Sequence, residues 1–431
     1  MKLGGRLQAA IEVLEEVEGK KRPVAEALKD WGRSHRFAGS GDRSAIGNIV
    51  YDALRSRASH AWRMGDDSPR ALALGAMAFD WNHSAEQLSA LIADDAHAPA
   101  PLSDAEAAAI TAKSLADAPM WVKGNIPEWL EGSFLEAFEE EALAEAKAFS
   151  KRPPVDIRVN SLKSSVDKVE KELSRFKPKR TKLSKTCLRF PAGEGDYRQP
   201  NIQGDPAFRK GFYEVQDEGS QIVSSLIFPG KGEQVLDYCA GGGGKTLAMA
   251  AHMENKGQIY AYDMDASRLA PIVDRLSRAG VRNAQTRTPN EGALDDLIGR
   301  MDRVVVDAPC TGTGTWRRRP ETKWKLTQDQ LDKRIEEQQI ALAQARHFVR
   351  PGGYLIYITC SVLAAENEEQ VYHFVANNPD FELVSAGEVW QDLYGFDAPQ
   401  PWSSDMMTVT LSPASTGTDG FFFSVMECRP E

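Results

Sequence analysis

From Gly211 onward, short apolar strands alternate with helical segments, and that rhythm limits the fold more than any other feature of the chain. Gln234 to Tyr238, Gln258 to Tyr262, Arg303 to Val306 and Tyr354 to Ile358 read as strands, whereas Lys245 to His252 and Thr327 to Phe348 carry helical periodicity. Strands joined through helices run parallel, so the expectation is an α/β fold with a doubly wound, Rossmann-like sheet. The last apolar run, Gly420-Phe421-Phe422-Phe423-Ser424-Val425, fits an antiparallel strand at or near the edge.

The preceding half has a different period. Leu7, Ile11 and Leu14 recur at helical spacing, as do Ile46, Ile49, Val50 and Leu54 after a break at Gly39-Ser40-Gly41, which predicts a small helical bundle over residues 1 to about 95. The Ala- and Glu-rich stretch from Asp104 to Ala148 continues the helical character until Lys151-Arg152-Pro153-Pro154 stops it. Val155 to Val159 then alternates like a strand, Ser164 to Phe176 like an amphipathic helix, and Cys187 to Phe190 like a strand again. Three domains are expected: helical over 1–145, a small basic α/β module over 146–205, and the large α/β domain over 206–431.

Charge is distributed unevenly. The 431 residues sum to a net charge of -10, yet residues 91–150 hold twelve acidic and three basic side chains, and residues 151–190 thirteen basic and four acidic ones. A local basic face on an acidic body suits a polyanion such as RNA, and Lys177-Pro178-Lys179-Arg180-Thr181-Lys182 is either a phosphate-contacting loop or solvated surface. No window has the uninterrupted apolar length of a membrane span and the start lacks a secretory apolar run, so a cytoplasmic protein without membrane association is expected. The five cysteines are scattered without metal-ligand spacing and read as free thiols, with no metal expected.

Val235 to Thr246 runs from a strand through Cys239-Ala240-Gly241-Gly242-Gly243-Gly244 into a helix that opens with Lys245, the arrangement that lets a ligand approach backbone amides. A phosphate-cradling P-loop would need glycine at Cys239, which argues against a nucleoside triphosphatase. S-adenosylmethionine fits better, because Asp263 stands at the end of the next strand, 22 residues beyond Gly241, where a carboxylate can hold ribose hydroxyls. The simpler reading makes Asp263 a helix cap, but Asp265 is better placed for that.

Two cysteines follow apolar strands: Cys310 in Asp307-Ala308-Pro309-Cys310-Thr311-Gly312, and Cys360 in Thr359-Cys360-Ser361. A cytosine ring resists methylation at C5 until a thiolate adds at C6, and a second group must later remove the C5 proton, so two convergent thiols suit that chemistry. Residue chemistry alone leaves open which cysteine attacks. The segments Asp307–Trp324 and Tyr357–Leu363, the glycine loop, Arg158-Val159-Asn160-Ser161-Leu162-Lys163, Tyr213–Gln221 and Thr418–Phe422 together resemble the RNA (cytosine-5)-methyltransferases of the RsmB, Sun and Nop group. The likeness covers residues 125–431. Asp42–Ala45 and Tyr51–Arg55 faintly resemble the NusB-like helical domain of bacterial members.

That resemblance implies a class I methyltransferase sheet, preceded by a small RRM-like module and a NusB-like all-α domain. It implies Cys360 as nucleophile and Cys310 as the group assisting product release. Lys245 is then the expected electrostatic aid to Cys360, and Asp307, as a protonated carboxyl, the partner of the cytosine N3 and N4. Cys239, Ala240, Gly241, Gly242, Gly243, Gly244, Lys245, Asp263, Asn290 and Asp307 form the expected S-adenosylmethionine site. Arg158, Asn160, Lys179, Arg180, Arg317, Arg318 and Lys323 are the expected RNA contacts, and Trp316 and Trp324 either stack on a base or belong to the core.

Three positions depart from the family pattern: Gly241-Gly242 replaces Ala-Pro, Asn290 stands where an Asp commonly meets adenine, and Ala364-Ala365 replaces Pro-Glu. None removes a reacting group. The expected activity is S-adenosylmethionine-dependent methylation of cytosine C5 in RNA, ribosomal RNA foremost, by a monomer. The rival readings are a noncatalytic RNA-binding assembly factor and a DNA methyltransferase that attacks through Cys310.

Overall fold

The computed structural model describes residues 1–112 and 114–430. Lys113, within the helical stretch expected from Asp104 to Ala148, and Glu431, the last residue of the expected 206–431 domain, lie outside the described residues. The chain forms two compact units. One holds Met1–Pro153, Ala192–Gln199 and Trp316–Lys325; the other holds Pro154–Pro191, Pro200–Thr315 and the chain from Leu326 onward.

The first unit is helical. Leu3–Gly19, Val24–Ser34 and Ser40–Arg55 supply its core, where Leu7, Ile11, Leu14, Ile46, Ile49, Val50 and Leu54 are all buried, as their spacing predicts. The break before the third helix runs over residues 35–39, so Ser40 and Gly41 of the expected break are already helical: Gly39 is the N-cap, and the Asp42 carboxylate accepts from the Gly39 amide at 2.8 Å.

The late segment Trp316–Lys325 belongs to this helical unit. The Trp316 indole is fully buried and stacks on Phe134, with ring centroids 5.9 Å apart. Lys323 Nζ donates to the Arg55 carbonyl at 3.1 Å and Trp324 Nε1 to the Leu54 carbonyl at 2.6 Å, so both side chains cap the C-terminal end of Ser40–Arg55. The two tryptophans are therefore core residues. Arg317 and Lys323 are buried rather than presented to phosphates, which corrects their expected role; Lys323 meets a backbone carbonyl at a helix end and the Arg317 carbonyl accepts from Arg55 Nε at 2.7 Å, pairings that spacing along the chain does not reveal. Arg318 is half-buried.

The second unit contains two sheets. The smaller is antiparallel and runs β2-β3-β1-β4, with β1 Val155–Val159, β2 Lys179–Arg180, β3 Cys187–Phe190 and β4 Tyr213–Val215. The larger comprises β5 Gln234–Asp237, β6 Gln258–Tyr262, β7 Ala284–Arg287, β8 Met301–Asp307, β9 Val349–Thr359, β10 Phe381–Val384, β11 Thr408–Leu411 and β12 Phe421–Cys428. Its order is β10-β12-β9-β8-β5-β6-β7, with β11 paired to β12. Strands β5 to β9 are parallel, whereas β12 is antiparallel and lies between β9 and β10, one place in from the edge. Aliphatic and aromatic residues such as Leu236, Val304, Val306, Leu355 and Tyr357 fill one face, and Val235, Val305, Ile356 and Ile358 the other, as a sheet covered on both sides requires.

Strand order reverses at β5, so β6 and β8 flank it and their C-terminal ends open a crevice where ligands of such sheets bind. Arg158 and Asn160 are buried supports of this unit rather than RNA contacts. Arg158 Nε donates to Gln216 Oε1 at 2.7 Å, and Asn160 Nδ2 donates to the Gly211 and Ala279 carbonyls at 2.9 and 2.8 Å. Each satisfies buried acceptors that would otherwise be left without a partner, which is the physical reason both side chains turn inward. Lys179 and Arg180 are exposed on β2, with Arg180 paired to Asp167 and Glu170. Among the described residues no helix is long and apolar enough to cross a membrane.

Candidate active site

Four adjacent strand ends bring the functional side chains together. The glycine loop leaves β5, Asp263 follows β6, Asp307 ends β8 and Cys360 follows β9. In the glycine loop, Gly241 has φ +48°, a left-handed backbone that favours glycine, and a Cβ there would meet nothing nearer than 3.7 Å. The Gly241 amide donates to Asp263 Oδ2 at 2.9 Å, while Asp263 Oδ1 accepts from the Asp265 amide. Asp265 caps the next helix through Ser267, as expected. Asp263 thus stands beside the loop with both oxygens engaged by backbone. Asn290 is exposed and lines a cavity of about 420 Å³ with Tyr238, Tyr262 and Gln344.

At the end of β5, Asp237 is fully buried and its Oδ2 accepts from Thr246 Oγ1 at 2.6 Å, tying the strand to the helix Gly244–His252. Burial pushes its carboxyl up to about 7, only partly offset by the Thr246 hydroxyl. On that helix, Lys245 is buried and its ammonium lies 2.5 Å from Asp307 Oδ2. The ion pair corrects two expectations. Lys245 is directed at a carboxylate rather than a thiol, and Asp307 is one half of a charge pair rather than an isolated protonated acid, because the two strand ends are adjacent and opposite charges close at short range.

Cys310 Sγ and Cys360 Sγ lie 3.3 Å apart, both half-buried and unbridged. Hydrogen bonding to Cys360 and then burial hold the Cys310 thiol well above its ordinary value. The loops are braced directly: the Gly314 amide donates to the Cys360 carbonyl at 2.9 Å, Thr313 Oγ1 lies 2.9 Å from Ser361 Oγ, and the Val362 amide donates to Thr313 Oγ1. Gly314 admits no side chain, since a Cβ would fall 2.2 Å from the Gly420 carbonyl oxygen.

Thr313, Gln338, Glu366 and Asn367 hold these loops and were not legible as site residues. Glu366-Asn367 follows the cysteine motif by only six residues, and the one available signal was a carboxylate and an amide directly after the apolar Val362-Leu363-Ala364-Ala365. Elsewhere in this unit Asp156, Cys187 and Glu218 place ligating atoms within 4.8 Å of one another. The guanidinium of Arg189 already neutralises that cluster, reaching Asp156 at 2.7 Å and Glu218 at 3.1 Å.

A parallel sheet reversing at β5, with one inserted antiparallel strand and a glycine loop opposite an acidic strand end, defines the fold of the class I, S-adenosylmethionine-dependent methyltransferases. Residues 224–427 match the family described as 16S rRNA methyltransferase RsmB/F, the group that the cysteine motifs resemble. The ribosomal RNA small subunit methyltransferase B of Cronobacter sakazakii is 30% identical over 302 residues, covering 69% of this chain and 65% of the relative. The chain thus spans about two thirds of the length of the curated relatives it matches. A methyltransferase homolog from Pyrococcus horikoshii is 28% identical, with a TM-score of 0.58 over 72% of this chain and 97% of that one. The solved structure of PH0851 is 25% identical, with a TM-score of 0.74 over 99% of both chains.

Proposed function

We propose that this protein methylates C5 of a cytosine in RNA, with ribosomal RNA as the substrate class, and that it attacks through Cys360. The observation that carries the reading is the 3.3 Å approach of two thiols beside the Lys245–Asp307 pair, at the ends of adjacent parallel strands. The likeness to small-subunit rRNA methyltransferases supports RNA as substrate.

The residues fit S-adenosylmethionine: an open glycine loop, Asp263 beside it, and Asn290 exposed beyond the end of β7. When bound, that cofactor supplies an electrophilic methyl group on a sulfonium. Cys239 to Gly244 would line its amino-acid portion, Asp263 its ribose and Asn290 its adenine, through the amide oxygen.

Cys360, as thiolate, adds to C6 of a base that has been unstacked from its RNA, and the ring electrons move towards C5 and N3. Asp307 accepts a hydrogen bond from N4, and Lys245 balances the charge that builds on the ring. Once C5 carries the methyl group, Cys310, or a water it holds, assists removal of the C5 proton, and Cys360 leaves as a thiolate with the aromatic bond restored.

RNA substituted with 5-azacytidine should trap the protein as a band on denaturing gels. Cys360→Ala is expected to abolish the band, and Cys310→Ala to accumulate one even on ordinary RNA. A band that survives Cys360→Ala but not Cys310→Ala would assign the attack to the other sulfur.

A further inference from the structure

Glu366 and Asn367 are consecutive, fully buried, and take no part in the chemistry above. Each is bonded to a different cysteine loop. The Glu366 carboxylate accepts from the Thr311 amide at 2.8 Å, from the Thr311 hydroxyl, and from Gln338 Nε2 at 3.0 Å. Gln338 Nε2 also donates to the Pro309 carbonyl at 2.9 Å. Both chain neighbours of Cys310 are thereby held, one directly and one through Gln338. Asn367 does the same for Cys360: its Oδ1 accepts from Thr359 Oγ1 at 2.6 Å, and its Nδ2 donates to the Ser361 carbonyl at 3.1 Å. The dipeptide is itself anchored, because the Tyr357 hydroxyl on β9 donates to the Glu366 carbonyl at 2.6 Å.

A buried carboxylate is tolerated only when its lone pairs are satisfied, and three donors meet that demand here. Those donors come from the Cys310 loop and from the helix Gln328–Ala345, so the bonds that satisfy the charge also fix the loop. The amide of Asn367, with one acceptor and one donor, matches the hydroxyl and the carbonyl that flank Cys360.

We infer that Glu366 and Asn367 are positioning residues with separate duties, Glu366 aligning Cys310 for product release and Asn367 aligning Cys360 for attack. The inference rests on the two-cysteine chemistry proposed above. It requires two adjacent substitutions to give opposite defects, which general loosening of the loops would not do.

The test uses the full chain, S-adenosylmethionine, transcribed small-subunit ribosomal RNA and the same RNA substituted with 5-azacytidine. Turnover and covalent adduct are read separately. Glu366→Ala is expected to slow turnover by about 100-fold, the scale of a 1 Å misplacement, while adduct accumulates on ordinary RNA as it does for Cys310→Ala. Glu366→Gln should restore turnover, since its amide oxygen still accepts from the Thr311 amide and the Thr311 hydroxyl can turn to accept. Asn367→Ala should instead slow adduct formation on both RNAs without accumulation.

Equal loss of adduct in both alanine variants, or loss in neither, overturns the inference. Should Glu366→Ala not fold, Gln338→Ala must show a milder accumulation of adduct, and its absence is equally decisive. Cys360→Ala is the control for the underlying chemistry: an adduct that persists there refutes the Cys360 assignment, whatever the Glu366 and Asn367 variants do.

Discussion

The sulfur of Cys310 faces that of Cys360 across 3.3 Å, and the first thiol is held well above its ordinary value by the hydrogen bond to the second and by burial. Alkylation follows the thiolate. Iodoacetamide at neutral pH should therefore label Cys360 faster than Cys310, as read by peptide mass spectrometry. In Cys360→Ala, which removes the raising hydrogen bond, labelling of Cys310 should accelerate. Faster labelling of Cys310 in the unmodified protein would reverse the assignment.

Gly314 is hemmed in by backbone on two sides. Its amide donates to the Cys360 carbonyl, and its carbonyl accepts from the Gly420 amide at 2.8 Å. An added Cβ would lie 2.2 Å from the Gly420 oxygen and 2.8 Å from the Cys360 oxygen, neither of which can swing aside. Gly314→Ala should lower stability by about 1–3 kcal/mol in urea titration, as overpacking does, with turnover falling further than the stability loss accounts for.

Asp237 has a folded value raised to about 7 from 3.8 by burial. Its neutral form is favoured in the folded state, so its contribution to stability is complete below about pH 4 and is lost as pH rises through 7. The slope reaches about 1.4 kcal/mol per pH unit across that window. Asp237→Asn keeps an acceptor for Thr246 and should remove that slope. Urea midpoints of the two proteins at pH 5 and pH 8 decide it: the variant must gain on the original as pH rises.

Lys323 carries the opposite dependence. Its amine is fully buried among the Trp316 and Trp324 rings and the Arg55 carbonyl, and burial lowers it from 10.5 to about 7. The unfolded chain binds that proton more readily between these values, so the cost of burying Lys323 is complete below about pH 7 and fades as pH rises towards 10.5. Lys323→Met should be the more stable protein at pH 7, and the difference should shrink by pH 10. A constant difference in denaturation midpoint would contradict the buried amine.

The strand rhythm, the glycine loop, Asp263 at the neighbouring strand end and the two cysteine loops were all legible, because apolar period and strand-to-loop transitions are local properties of the chain. β7 and β10 were not. Ala284–Arg287 is short and holds one apolar residue in four, and Phe381–Val384, though apolar at three of four positions, is too short for a period to show. The expected RNA contacts misled for a related reason: Arg158, Asn160 and Lys323 look like a polyanion-binding set in one dimension, yet each turns inward to a carbonyl or an amide, and Arg317 is buried as well.

What the sequence determined by itself is the order of elements and which reactive groups end which strands, since both follow from patterns a few residues long. Tertiary structure alone decided that the two sulfurs meet, that Lys245 closes on Asp307 instead of a thiol, and that Glu366 and Asn367 divide between the two loops. Those outcomes depend on partners far apart in the chain satisfying one another's charges and hydrogen bonds in a buried space. No local pattern encodes which distant donor will find which acceptor.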